Sequence, residues 1–378
     1  MSHAALPLAL IIATLLAACA ASGPGARVRS PGTGPVRTPI ASSALTGPLG
    51  GGAVPARFVA TANSPAPAGV VLYNSRTGAA IRRLRPATRD GMSVRGLSVD
   101  PAGNLWITYG RGPKLRAPDL LGGFPEAHTC ASEIVIWHPS TGRSSVYLRS
   151  GNNVLISGAA VSPDGRLLAY SESGCATGYF DSYVRVTDVA SGQSWTIGKQ
   201  LGRCNLINWS WSADSKDFVV AYAAPPATSY RGPQGSCSVP RREDIVQVNA
   251  TATQPGLNGR AAQAQPHCQI TSAAGLASGQ MLAIEACGGQ QYLAGPARLL
   301  VYDSQLRLVH QFSLGRCTDG NDLSTDVSGN AALVSAYLYC NPPGKKQPVS
   351  RLWAYSGGVL RPIATLPQGT LAWAFMTW

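Results

Sequence analysis

The residues best able to do chemistry in this chain are nine cysteines, five histidines and a few carboxylates and amides. Cysteine can close disulfides, hold zinc as thiolate or act as a nucleophile. Zinc sites in sequence show short spacings such as Cys-x-x-Cys. None occurs here, and only His267 adjoins a cysteine, Cys268. The histidines, His3, His128, His138, His267 and His310, show no zinc spacing either, and His138 and His310 read as surface residues. There is no Gly-x-Ser-x-Gly, hence no nucleophile elbow, and no glycine-rich phosphate loop opening a helix. Oxygen donors gather at Asp319, Asn321 and Asp322, with Asn205 and Asn208; oxygen ligands of this kind suit calcium. These patterns assign no catalytic residue, no cofactor and no metal. What remains is Cys19 and eight others: Cys130, Cys175, Cys204, Cys237, Cys268, Cys287, Cys317 and Cys340. An even set of eight in an exported chain reads as a disulfide framework.

Export is read from the first residues. Ala4 to Ala18 is almost wholly apolar, with Thr14 the one polar residue. A permanent membrane span needs roughly twenty residues, so this shorter run fits the apolar core of a signal peptide. It ends in Leu16-Ala17-Ala18-Cys19, which resembles the lipobox of bacterial lipoproteins. That resemblance implies cleavage before Cys19 and acylation of Cys19, with several chains giving stable anchoring. From Cys19 to about Pro55 the chain is rich in Gly, Pro, Ser, Ala and Thr and lacks any apolar period. It cannot bury enough surface to offset its ordering entropy, and reads as a flexible tether. The expected organisation is a signal peptide over 1–18, lipidated Cys19 and tether over 19–55, and one folded domain over 56–378.

The folded part is periodic. An apolar strand, a tight polar turn and a second apolar strand recur: Leu97 to Ile107, Ala160 to Tyr170, Trp209 to Ser215, Gly275 to Gly279, and Thr325 to Gly329. The aligned turn positions are 103, 165, 215, 279 and 329. Each unit is followed by another strand and a short turn, as in Val70–Tyr73, Ile134–Trp137, Val184–Thr187, Ile245–Val248, Leu299–Asp303 and Leu352–Tyr355, and then by a short outer strand. The fourth copy is weak: Ala250 to Pro266 gives no clear outer strand. Two hairpins make a four-stranded antiparallel sheet, and such sheets set radially form a propeller. Complete blades centre on 94–149, 154–199, 205–266, 270–314 and 320–366. Residues 58–84 supply three strands without an innermost one, and Thr370–Met376 resembles the missing strand. The expectation is an all-β, six-bladed β-propeller of four-stranded antiparallel blades, the last strand closing the first blade.

Val161-Ser162-Pro163-Asp164-Gly165-Arg166-Leu167-Leu168-Ala169-Tyr170 resembles the repeat of TolB-type propellers, and the frame as a whole is similar to WD-repeat propellers. The resemblance implies six blades. TolB also carries an N-terminal α/β domain; residues 20–55 are too short and too polar to supply one, so TolB's role is not carried over. Some six-bladed propellers are lactonases or quinoprotein dehydrogenases with an axial metal, the enzyme alternative for which Asp319, Asn321, Asp322, Asn205 and Asn208 would serve.

The blade frame locates the remaining chemistry. Lettering strands a to d from the axis outward, the a–b and c–d turns are all short. The b–c connections are long, at 111–131, 173–181, 224–243, 287–296 and 340–349. The eight cysteines fall in b–c or d–a connections, which share one face. Eight cysteines allow about 105 connectivities; the frame pairs Cys130–Cys175, Cys204–Cys237, Cys268–Cys287 and Cys317–Cys340. The same loops gather Arg111, Lys114, Arg116, Tyr179, Phe180, Tyr230, Arg231, Arg241, Arg242, Lys345 and Lys346. Net charge is +13, from 31 basic and 18 acidic residues, none of them in 1–18. A basic excess on an exported protein favours anionic polymers or headgroups over nucleic acid. The functional expectation is a monomeric, lipid-anchored lipoprotein on the extracytoplasmic side of the cell membrane. Its loop face would bind an anionic polymer, a glycan or another envelope protein.

Overall fold

The computed structural model describes residues 54–62, 69–84, 88–89, 91–111, 130–151, 154–174, 183–197, 206–223, 243–250, 257–265, 268–287, 295–315, 318–338, 349–367 and 373–376. All of their regular elements are strands. Sheet one contains β1 (Arg57–Ala62), β2 (Gly69–Asn74) and β3 (Ala80–Leu84). Sheet two contains β4 (Thr88–Arg89), β5 (Met92–Val99), β6 (Leu105–Arg111), β7 (Ala131–His138) and β8 (Arg143–Arg149). Sheet three is β9 (Val154–Val161), β10 (Leu167–Gly174), β11 (Tyr183–Asp188) and β12 (Ser194–Ile197). Sheet four is β13 (Leu206–Trp211), β14 (Asp217–Ala223), β15 (Glu243–Asn249) and β16 (Leu257–Gln263). Sheet five is β17 (Cys268–Gly275), β18 (Met281–Cys287), β19 (Ala297–Tyr302) and β20 (Leu308–Gly315). Sheet six is β21 (Thr318–Thr325), β22 (Ala331–Leu338), β23 (Val349–Ser356) and β24 (Val359–Pro367). The last strand, β25 (Trp373–Met376), returns to sheet one and pairs antiparallel with β1, Arg57 opposite Met376 and Ala60 opposite Trp373.

The protein is an all-β propeller of antiparallel blades. Its core is divided among clusters that each join two successive sheets. Val59, Leu72 and Leu84 meet Val94, Ile107 and Val135 between sheets one and two. Trp106 and Ile134 meet Ile156 and Leu168 between two and three. Val184 and Val186 meet Trp211 and Phe218 between three and four. Val219 and Ile245 meet Ala283 and Leu300 between four and five. Leu282 and Val301 meet Val334 and Tyr355 between five and six. Leu333 and Leu352 meet Phe58 and Tyr73 between six and one, where Phe58 and Tyr73 stack at 5.0 Å. Alternating inward side chains on both faces of each sheet explain the near-continuous apolar runs in strands such as β18 and β22.

The expectation of four strands in every blade is corrected at one sheet. Five sheets have four strands; sheet two has five, because Thr88–Arg89 folds back along Met92–Ser93. A frame built from two hairpins per blade has no place for that extra strand. Sheet four also departs from expectation, since β16 is present where no outer strand was read. Its sequence, Leu-Asn-Gly-Arg-Ala-Ala-Gln, lacks β-branched residues, and its register against β15 is irregular. Backbone pairing with β15 makes the strand where side-chain propensity would not.

The repeated turns hold the ring together at one end. Gly103, Gly165, Gly279 and Gly329 all have positive φ, and Ser215 occupies the same frame position at φ 61°. The turns touch their neighbours: Ala277 N–H donates to Gly329 O at 2.9 Å, and Asp164 N–H donates to Ser215 Oγ at 2.9 Å. Gly329 is required twice over. Its φ is +69°, and a Cβ there would stand 2.6 Å from Ala213 Cβ. Gly329→Ala is therefore expected to lower the unfolding free energy by about 1–2 kcal/mol from backbone strain, with further loss from the clash. Urea denaturation checks this; an unchanged midpoint would contradict the close approach.

Candidate functional site

Strand direction sorts the connections into two ends. At one end lie the short turns, such as Asp100–Asn104, Ser162–Leu167, Asp188–Ser194 and Asp326–Ala331. Their carboxylates are spent on the turns themselves. Asp188 Oδ1 accepts from Ser191 N at 2.8 Å and from Ala190 N at 3.1 Å, which holds its carboxyl below the usual range. Asp100 accepts from Asn104 N, from Asn104 Nδ2 and from Trp106 Nε1 at 2.8, 2.9 and 3.0 Å. With Asn104 Nδ2 so engaged, its Oδ1 accepts from His138 Nδ1 at 2.9 Å. His138 is thus a turn clamp rather than a ligand.

At the other end the strands run into the long connections. Of the expected ligand-binding residues, Arg111 is described; it is the last residue of β6, partly buried, beside the Gly91 turn. Lys114, Arg116, Tyr179, Phe180, Tyr230, Arg231, Arg241, Arg242, Lys345 and Lys346 lie outside the described residues, as does Cys19. Cys175, Cys204, Cys237, Cys317 and Cys340 also lie outside them. Cys268 and Cys287, at opposed positions of β17 and β18, are joined with S–S 2.00 Å and Cα atoms 3.9 Å apart. Cys130 is also disulfide-bonded.

Of the calcium-type donors, Asp322 is the one whose side chain is described. Asp322 Oδ1 receives the Leu323 N–H at 2.9 Å and the Ser272 hydroxyl at 3.2 Å, so it serves the contact between sheets five and six. Nothing is described of the side chains of Asp319, Asn321 and Asn208, and Asn205 lies outside the described residues.

Three buried glutamates stand at the long-connection end, and spacing in the sequence did not single them out. Glu133 on β7 pairs with Arg149 on β8 at 3.0 Å. Glu172 on β10 takes a two-pronged bond from Arg185 on β11, Nε to Oε1 and Nη2 to Oε2, each 2.9 Å. The carboxylate raises the Arg185 pKa, and the guanidinium lies 5.9 Å from the Tyr183 ring centroid. Burial first, then the neighbouring Glu172, pushes the Tyr183 hydroxyl up. This cluster fixes the two strand ends from which the 175–182 connection springs. The third, Glu285, is fully buried, and one of its oxygens accepts Gln265 N–H at 2.8 Å. Its other oxygen has no partner. Glu285 and the Cys268 and Cys287 sulfurs are the one group of potential metal ligands among the described residues, within 4.8 Å of one another. A charged residue at an inward-facing strand position was the available signal for all three.

No protein-family model and no curated protein matches the chain. Solved structures resemble it at a distance. The β-propeller domain of Myceliophteria thermophila Cps50 (Swd1) aligns at TM-score 0.42 and 12% identity over 80% of each chain. An oligogalacturonate lyase in complex with manganese aligns at TM-score 0.45 and 10% identity, over 82% of this chain and 74% of that one. The β-propeller domain of the Trilobed protease from Pyrococcus furiosus aligns at TM-score 0.39 and 9% identity, over 72% and 71%. No activity is carried over from likenesses so distant.

Arg185→Lys should keep the charge and lose the two-pronged geometry. The expected cost is about 0.5–1 kcal/mol, small because the guanidinium is partly solvated. It should be accompanied by faster proteolysis within 175–182. Unchanged stability and unchanged cleavage would show that the pair does not order that connection.

Proposed function

We propose that the chain is an exported lipoprotein, cleaved after Ala18 and anchored through acylated Cys19. Residues 19–55 would tether a six-bladed, TolB-type propeller on the extracytoplasmic side of the cell membrane, with sheet two as the irregular blade. The propeller is a binding module whose long-connection end takes an anionic envelope polymer. The observation that carries this reading is the separation of the two ends. Short turns with self-satisfied carboxylates occupy one end. The strand ends that bound 112–130, 175–182, 224–242, 288–294 and 339–348 share the other. Those connections hold Lys114, Arg116, Arg231, Arg241, Arg242, Lys345 and Lys346, with Tyr179, Phe180 and Tyr230 for stacking against sugar rings. Long connections on a rigid scaffold are where recognition usually lies. The remaining disulfides of the proposal, Cys130–Cys175, Cys204–Cys237 and Cys317–Cys340, would brace the same connections.

Two measurements test the two halves. Cys19→Ala should move the protein from the membrane fraction to the soluble extracytoplasmic fraction; retention in the membrane would remove the anchor. Binding to isolated anionic wall polymer should weaken as salt rises, because the Debye length contracts to about 8 Å at physiological ionic strength. Individual exposed ion pairs are worth only about 0–1 kcal/mol, so reversing Lys114, Arg116, Arg241 and Arg242 together should lower affinity at least tenfold at low salt. Equal binding by the reversed variant, or binding indifferent to salt, would turn the assignment toward a protein partner.

A further inference from the structure

Glu285 breaks the pattern set by the other two buried glutamates. Glu133 and Glu172 each meet an arginine, whereas Glu285, at zero exposure, meets none among the described residues and has one oxygen that accepts no hydrogen bond. A buried carboxylate in that state is costly unless a proton or a cation satisfies it. The arginine nearest in register, Arg298 opposite Glu285, directs Nη1 to Gln265 Oε1 at 3.4 Å instead. Beside the carboxylate are two sulfurs. Glu285 and Cys287 are two residues apart on β18 and so share one face of the sheet. Cys268 faces Cys287 across the strand pair, and both cysteines are partly exposed while the carboxylate is buried beneath the surface.

We propose that Cys268, Cys287 and Glu285 form a redox-gated site for a thiophilic divalent cation, zinc being the simplest. In the disulfide form the sulfurs are bonded to each other and offer no thiolate. An external dithiol reductant opens the site: it delivers two electrons and two protons to the Cys268–Cys287 bond, giving two thiols, and leaves as its own disulfide. The metal then displaces the two thiol protons and binds two thiolates and the carboxylate, with water in the fourth position. Zinc holds sulfur at about 2.3 Å in tetrahedral geometry, so two thiolates on one ion stand about 3.8 Å apart. The three ligand atoms already lie within 4.8 Å of one another. The cysteines are 19 residues apart in sequence, and strand pairing, not a short motif, brings them together. Two thiolates, one carboxylate and a divalent cation carry a net charge of −1, which the nearby Arg298 opposes.

The test reads each cysteine separately, because other thiols are released by the same treatment. The full chain is reduced, freed of reductant without oxygen, and pulse-alkylated with and without zinc; peptide mass mapping then gives a rate for every cysteine. Zinc should slow alkylation of Cys268 and Cys287 by tenfold or more. Glu285→Gln should weaken that protection by about 10–100-fold in zinc concentration, the scale on which metal sites respond to loss of supporting groups. Cadmium added to the reduced wild type should give a thiolate charge-transfer band that Cys268→Ser/Cys287→Ser lowers. Equal alkylation with and without zinc in the wild type overturns the proposal, and needs no variant to fold. Full protection in Glu285→Gln also overturns it, leaving a plain dithiol.

Discussion

Except in sheet two, where β4 flanks β5, the innermost strand of each described sheet has one edge with no further strand to bond to, and the ring depends on satisfying it. Unpaired backbone groups that are buried cost about as much as a lost hydrogen bond. Here hydroxyls of one sheet serve the inner strand of the next. On β9, the N–H groups of Ile156, Ala159 and Val161 donate to Ser132 Oγ, Thr108 Oγ1 and Ser98 Oγ, at 2.9, 3.2 and 3.1 Å, all from sheet two. The carbonyl of Ala160 accepts from Trp211 Nε1 at 3.0 Å, and that of Ala273 accepts from Ser210 Oγ at 3.0 Å. Leu323 N–H donates to Ser272 Oγ at 3.1 Å. Ser98, Thr108, Ser132 and Ser272 are buried, and each supplies the backbone of the neighbouring sheet with an acceptor.

The same geometry explains why the two ends of the ring differ in chemistry. At the short-turn end, acidic side chains cap their own turns and lock successive turns to each other. At the other end the strands open into long connections, and the buried acids sit one or two residues inside the strand ends. Two of them are neutralised by arginine from an adjacent strand, which stiffens the exits of the connections. The third keeps a free oxygen beside a disulfide. Charge within the strands at this end is therefore a set of buried carboxylates, Glu133, Glu172 and Glu285.

Much of the fold was legible in the residues. The frame positions 103, 165, 215, 279 and 329 proved to be the positive-φ residues of equivalent turns, because a tight turn tolerates few residue types. The pairing of 57–60 with 373–376 followed from complementary fragments that could not otherwise bury their edges. Less legible were features set by backbone pairing alone. The short strand β4, the outer strand β16 and the register shifts on inner strands between Val94 and Gly96, Ile270 and Ser272, and Gly320 and Asp322 have no side-chain period. The basic residues of the long connections could be read only as composition, since they follow no period, and of them Arg111 is described. Glu285 was missed because its meaning comes from neighbours distant in sequence.

The pairing of β25 with β1 sets an order of events. During synthesis the hairpin of β1 and β2 emerges first, yet its inner edge stays open until residues 373–376 arrive. The contact that finishes the ring therefore joins the earliest and latest parts of the domain, and such non-local closure is intrinsically slow. A chain halted in mid-synthesis would present the bare edge of β1 to its surroundings. The completed ring is then released as a unit, and cannot be assembled blade by blade in its final form.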